Sequence, residues 1–101
     1  MKNIIMNAKQ PALYIVANRR NWTIYVGVTS NLAQRIYQHK NNLVDGFTKR
    51  HNCKILVYYE YYETMIDAIT RENQIKAKRR EPKIDLITTM NFDWKDLSAQ
   101  E

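Results

Sequence analysis

The chain has 101 residues, 45% hydrophobic and 26% charged, with a formal net charge of +6; that length holds one domain around one core, and that balance excludes a disordered chain. A single cysteine, Cys53, excludes an intrachain disulfide and a CxxC metal site, and the absence of any run approaching about 18 apolar residues excludes a membrane-spanning helix. The cationic excess favours a polyanionic partner, nucleic acid first among them.

Residues 1–11 carry little pattern and read as a partly ordered lead-in to a single domain over 12–101. The apolar run Ile4-Ile5-Met6 is too short for a signal-peptide core, so the cytoplasm is the expected compartment. After Pro11, Leu13-Tyr14-Ile15-Val16-Ala17 has the β-branched and aromatic content of a short buried strand. Asn18-Arg19-Arg20-Asn21 is a polar turn, and Thr23-Ile24-Tyr25-Val26-Gly27 is the returning strand of a hairpin. Side chains alternate along a strand, so an even loop puts Tyr14 and Tyr25 on one face and an odd loop splits them. We expect the even case, with Gly27 beside Tyr14 leaving room for a ligand or a close backbone.

Asn31 to Lys40 is a helix capped by Ser30 or Asn31, with Leu32, Ile36 and Leu43 as its apolar stripe. Arg35 and His39 stand four apart and share a face at the edge of that stripe. Asp45-Gly46 signals a turn, and Thr48-Lys49-Arg50-His51 reads as a polar basic loop, either a phosphate-contacting lip or plain solvated chain. Cys53 to Tyr62 forms the third strand. Its tyrosines at 58, 59, 61 and 62 suit core and rim packing more than stacking on bases. Cys53 itself reads as a small buried hydrophobe.

Thr64 and Asp67 open a second helix as a capping pair. Met65, Ala68, Ile69 and Ile75 define its buried stripe, and Glu72 falls inside it. A carboxylate on a core-facing position must be paired, protonated or metal-bound, because an isolated buried charge costs several kcal/mol. The bland assignment is an ion pair with a core-edge cation such as Arg35; the functional one is a ligand for magnesium or manganese. The helix is expected to run on through Lys76, Lys78, Arg79 and Arg80 until Pro82 stops it. These basic residues complement the helix dipole, and four in five positions exceed that need, so they also read as a phosphate-contacting patch together with Lys40, Lys49 and Arg50. Lys83 to Met90 forms a short further helix, after which Trp94 and Leu97 pack back on the body.

These residues resemble the GIY-YIG nuclease superfamily. The first signature triplet reads Ala12-Leu13-Tyr14 and the second Tyr25-Val26-Gly27. The tyrosines are eleven apart, Arg35 follows ten after the second, and His39 four after that. The resemblance covers roughly Ala12 to Arg80 and is to a small stand-alone member. It implies an α+β fold, a three-stranded antiparallel sheet flanked by helices in the order β-β-α-β-α, which agrees with the elements read above. The first triplet keeps only its tyrosine. Some members carry a lysine just after the second triplet, where this chain has Val28 and Thr29, which throws more of the work on His39. The family's late asparagine has its best counterpart in Asn91.

The resemblance further implies a divalent-metal-dependent endonuclease acting on nucleic acid, DNA ahead of RNA with the two not told apart, in repair or processing. Glu72 would hold one Mg²⁺ or Mn²⁺, Arg35 would pair with a non-bridging phosphate oxygen, and a tyrosine would take the proton of the attacking water. Tyr14 is the first choice as base, with Tyr25 orienting, and Arg35, His39 and the metal supplying the field that lowers a phenol's pKa. The expected state is a monomer, with a protein partner as the source of any strong sequence specificity. Two other classes remain open: a non-catalytic nucleic-acid-binding module on the same fold, and a protein-interaction domain using the tyrosine strand, whose binding would be insensitive to salt.

Overall fold

The computed structural model describes residues 10–19, 22–44 and 46–98. The lead-in, but for Gln10 and Pro11, lies outside them, as do Arg20 and Asn21 of the hairpin turn and Asp45 of the Asp45-Gly46 turn. Two strands, β1 (Ala12–Ala17) and β2 (Ile24–Thr29), lead into α1 (Leu32–Lys40) and α2 (Phe47–His51). Then come β3 (Ile55–Tyr61), α3 (Met65–Lys76) and α4 (Arg80–Met90). The expected β-β-α-β-α order stands, followed by the expected further helix, which as α4 begins at Arg80 rather than Lys83; α2 alone is added. The strands form one antiparallel sheet of order β2-β1-β3.

β1 is the central strand, and all six of its residues are buried. It shows no polar–apolar alternation because both of its faces are covered. On one face Ala12, Tyr14 and Val16 pack with Leu32, Ile36, Cys53 and Leu56. On the other, Leu13, Ile15 and Ala17 pack with Val26, Val57, Tyr58, Ile75 and Ile87. The pairing of β1 with β3 slips by one residue, with Val16 opposite Leu56 and Ile15 opposite Tyr58. That β-bulge leaves Val57 extra and reverses the face of every later residue.

The hairpin closes with Ala17 opposite Ile24, a six-residue loop and therefore the even case. Asn31 caps α1, accepting from Gln34 N at 3.1 Å, and Thr64 caps α3 through Asp67 N at 3.1 Å. Trp94 and Leu97 pack on the body as expected, and Cys53 is fully buried.

Four local expectations are corrected. Leu43 is 63% exposed, because α1 ends at Lys40 and its stripe ends with it. Ile69 is 41% exposed, on the outer flank of α3 next to buried Ala68. Residues 48–51 are no loop but most of α2, a single turn entered through Gly46 at φ +96°, a conformation that favours glycine. Pro82 does not end a helix: α3 stops at Lys76, and Pro82 sits in the first turn of α4, where a missing N–H leaves no helical bond unmade.

The tyrosine doublets of β3 are packing residues. Tyr58 is buried on the Ile87 side, and its hydroxyl and that of Tyr62 donate to the Glu60 carboxylate, which also takes Arg71 Nε at 3.0 Å. Tyr59 and Tyr61 meet edge to face on the other side.

Candidate active site

Even loop parity sets Tyr14 opposite Gly27 and Tyr25 opposite Val16. Directly opposed residues share a face, so Tyr14, Tyr25 and Gly27 all project toward α1. Gly27 is where the sheet makes room. A Cβ there would stand 2.7 Å from Tyr14 Oη and 2.8 Å from its Cζ. The space expected for a ligand is filled by the Tyr14 ring itself.

From α1, Arg35 and His39 reach the same hydroxyl. Tyr14 Oη lies 2.9 Å from His39 Nε2, and Arg35 Nη1 donates to it at 3.4 Å. The guanidinium can only donate, so it uses a lone pair of Oη and leaves the phenol proton for the imidazole. On that assignment His39 is neutral, with its proton on Nδ1 and Nε2 accepting from Tyr14. Burial, reinforced by the Arg35 charge, pulls the His39 pKa down to about 4, which agrees with a neutral ring. His39 Nδ1 is buried with no hydrogen-bond partner among the described residues. Burial pushes the Tyr14 phenol up to about 12; Arg35 opposes that rise, while Tyr25 and Glu72 add to it. The positive field expected from His39 is therefore absent at neutral pH, and Arg35 alone supplies it on this side.

Tyr25 is half-buried at the rim. Its ring lies 6.2 Å from that of His39 and 6.1 Å from that of Phe47, with which it stacks. Phe47 continues to His51 at 4.3 Å. The Tyr25–Phe47–His51 ladder was missed in the sequence, where the only signal is the i, i+4 spacing of Phe47 and His51 after Gly46. Lys76 Nζ stands 6.0 Å over the Tyr25 ring and 2.9 Å from Glu72. Glu72, only 15% exposed at its side chain, thus pairs with a cation of its own helix rather than with Arg35.

Among the described residues no group of three or more His, Cys, Asp or Glu side chains could hold a metal ion. A single half-buried carboxylate such as Glu72 is still a donor that magnesium or manganese accepts, since such ions keep several waters and take one or two carboxylates. The Lys76 ammonium marks where Glu72 already accommodates a cation. Glu72 is thus a donor of the kind such an ion takes, once Lys76 moves aside.

The outlying candidates divide. Lys40 is occupied, donating to Asp96 at 2.5 Å and to the Lys54 carbonyl at 2.9 Å, and so fastens the C-terminal turn. Asn91 is buried at β3, donating to the carbonyls of Val57 and Lys95 and accepting from Lys95 N. It pins the bulge and meets none of the residues around Tyr14. Arg80 donates to the Trp22 carbonyl at 2.8 Å. Lys49 and Arg50 lie exposed on α2, and Lys78 and Arg79 lie exposed between α3 and α4.

A family model described as the GIY-YIG catalytic domain matches residues 10–85. A UPF0213 protein of Clostridium perfringens is 36% identical over 70 residues, 69% of this chain and 75% of its own length. One from Staphylococcus saprophyticus is 33% identical over 75% of this chain and 92% of its own. One from Staphylococcus haemolyticus is 33% identical over 74% and 90%. No solved structure matches the chain.

Proposed function

The chain belongs to the GIY-YIG family, and from that membership we propose that it is a divalent-metal-dependent endonuclease hydrolysing phosphodiester bonds, DNA before RNA, with its site at Tyr14, Tyr25, Arg35, His39 and Glu72. The observation that carries this reading is the Tyr14 hydroxyl bonded to both His39 Nε2 and Arg35 on one face of the sheet.

Glu72 would hold one Mg²⁺ or Mn²⁺, which when bound supplies Lewis-acid stabilisation of the charge that grows on the phosphate. Arg35 takes a non-bridging phosphate oxygen, where its fixed donors serve the transition state best. Tyr14 near 12 and His39 near 4 lie too far apart for a phenolate–imidazolium pair to persist in the free chain. The work is therefore a relay: as Tyr14 Oη receives a proton from the attacking water, it passes its own to His39 Nε2. The water attacks phosphorus as its proton moves to Tyr14 Oη, and the proton that Tyr14 passes to His39 Nε2 returns through the same pair to the departing 3′ or 5′ oxygen. Tyr25 lines the approach with Phe47. Lys76, released from Glu72, and Arg50, Lys78 and Arg79 steer the polyanion.

Purified protein is incubated with supercoiled, single-stranded and branched DNA and with RNA, with Mg²⁺ or Mn²⁺, beside Glu72→Ala and Tyr14→Phe. Glu72→Ala is expected to abolish cleavage while leaving the fold, read by circular dichroism. Tyr14→Phe is expected to slow cleavage by about 10²- to 10⁴-fold. Cleavage retained by Glu72→Ala overturns the scheme. One observation favours a second reading, binding without cleavage: Tyr14 is only 1% exposed and firmly protonated. Steeply salt-dependent binding with no cleavage of any of the four substrates would select it.

A further inference from the structure

On the far side of the sheet from Tyr14 lies a cavity of about 420 Å³, lined by Trp22, Arg80, Ile84, Asp93 and Trp94. It draws on three parts of the chain: the hairpin turn, the start of α4, and the turn after α4. Its volume lies in the range of small-molecule sites. Both tryptophans of the chain stand in it.

The walls are built at a conformational cost. Trp22 has φ +55° and Trp94 φ +54°, the left-handed region that bulky residues avoid. Each is a strained conformation that persists only where its surroundings fix it. Here the rings meet edge to face at 4.8 Å, Arg80 Nη2 bonds the Trp22 carbonyl at 2.8 Å, and Trp94 N bonds the Asn91 carbonyl at 2.9 Å. Arg19 stands 5.7 Å over the Trp22 ring. Packing alone explains an edge-to-face pair. Asp93, an exposed carboxylate, also lines the cavity and makes no ion pair or hydrogen bond among the described residues, which leaves both its oxygens open to a ligand.

We propose that this cavity is a second nucleic-acid site that takes one unpaired nucleobase of a strand, guanine best. The indole faces supply stacking area, which is sequence-tolerant because every base has a π-face. Arg80, which lines the cavity, and Arg19, which stands over the Trp22 ring, are the cations at hand for the flanking phosphates, and exposed Lys78 and Arg79 precede Arg80 in the chain. Asp93 supplies the selection. Guanine turns two donors, N1–H and N2–H, toward a carboxylate's two acceptors, whereas uracil and thymine offer N3–H between two carbonyls that repel it. A paired base has that edge occupied, so the site discriminates single strand from duplex. The proposal rests only on the nucleic-acid-binding half of the function proposed above, and cleavage does not enter it.

Because both tryptophans line this cavity, tryptophan emission, excited at wavelengths where the seven tyrosines do not absorb, reports on it. The full chain, without divalent metal, is titrated with a single-stranded guanine-containing oligonucleotide, its thymine-only counterpart, the duplex and guanosine monophosphate. Saturable quenching is expected with the single strands, guanine several-fold tighter, and little with the duplex, even where fluorescence anisotropy of the labelled duplex shows it bound. Weak quenching by the mononucleotide beside tight quenching by the strand identifies a strand site; equal affinity for both overturns that assignment. Trp94→Ala is expected to weaken single-strand binding about tenfold. Asp93→Asn, a smaller change at an exposed position, is expected to erase the guanine preference while keeping the quench. Binding of single strands with unchanged fluorescence, or a guanine preference that survives Asp93→Asn, overturns the proposal. A chain that quenches but cleaves nothing sustains it and refutes the nuclease reading instead.

Discussion

The two faces of the central strand are built on opposite principles. On the Leu13 side, β1 meets Val26, Val57, Ile75 and Ile87, all of them aliphatic and nearly or fully buried. On the Tyr14 side, the same strand meets an imidazole with an unpartnered Nδ1, a guanidinium and a phenol pushed up to about 12. An unsatisfied buried donor costs about 1–3 kcal/mol, so the second face gives up stability that the first must supply. The difference teaches where to look for function. A candidate site shows itself where polar groups are held close to one another and away from water at a net expense, while the aliphatic centre of the opposite face, from Val26 to Ile87, carries the fold.

That contrast breaks most visibly at Ile75. Ile75→Ala removes a fully buried side chain from the aliphatic face and is expected to cost about 2–5 kcal/mol in urea unfolding, with cleavage per folded molecule unchanged. A loss under about 1 kcal/mol would mean that this face is not what holds the sheet.

Next comes the pH dependence of stability, which belongs to the Tyr14 face. The folded His39 titrates near 4 against about 6.5 unfolded, so between those values the unfolded chain binds more protons. Stability is therefore full above about pH 6.5 and falls as the pH drops toward 4. Glu60 and Asp96 are both held below their ordinary values, in each case because their hydrogen-bonded and charged partners outweigh burial. Their contribution is lost only at lower pH, so the window from 6.5 to 5 isolates His39. There the chain is expected to lose about 2 kcal/mol, and His39→Gln to show a flat profile. An equal slope in both would assign the dependence elsewhere.

Much of this was legible in the sequence. Loop parity placed Tyr14 and Tyr25 on one face because strand alternation is a rigid rule, and the i, i+4 spacing placed Arg35 and His39 together for the same reason. Glu72 could be read as a carboxylate needing a partner, but the partner, Lys76, was one of several cations in reach. What escaped depended on distance or on surroundings. The charge state of His39 follows from burial, which its own sequence neighbours do not encode. The Trp22–Trp94 pair joins residues 72 apart in the chain, across a turn and a helix, with no periodicity to announce it. Pro82 misled because a proline in the first turn of a helix and one just past its end look alike in sequence.

The finest test of the contrast lies within one strand, at neighbours that face opposite ways. Gly27 faces Tyr14, and its absent Cβ is what leaves room for the phenol, since an added Cβ would stand 2.7 Å from Tyr14 Oη. The ring cannot simply retreat, since it is buried and bonded to His39, so Gly27→Ala must either spread β1 from β2 or expel the phenol. Overpacking of this kind costs about 1–3 kcal/mol, and either outcome breaks the Tyr14–His39 bond. Cleavage is therefore expected to fall well beyond the loss of folded protein. Val28→Ala, one residue on and packed against the aliphatic face, is expected to cost no more than about 1 kcal/mol, with cleavage intact. If both variants lost activity only in proportion to stability, the two faces would differ in composition but not in task. If Gly27→Ala alone uncouples the two, the missing side chain is part of the site.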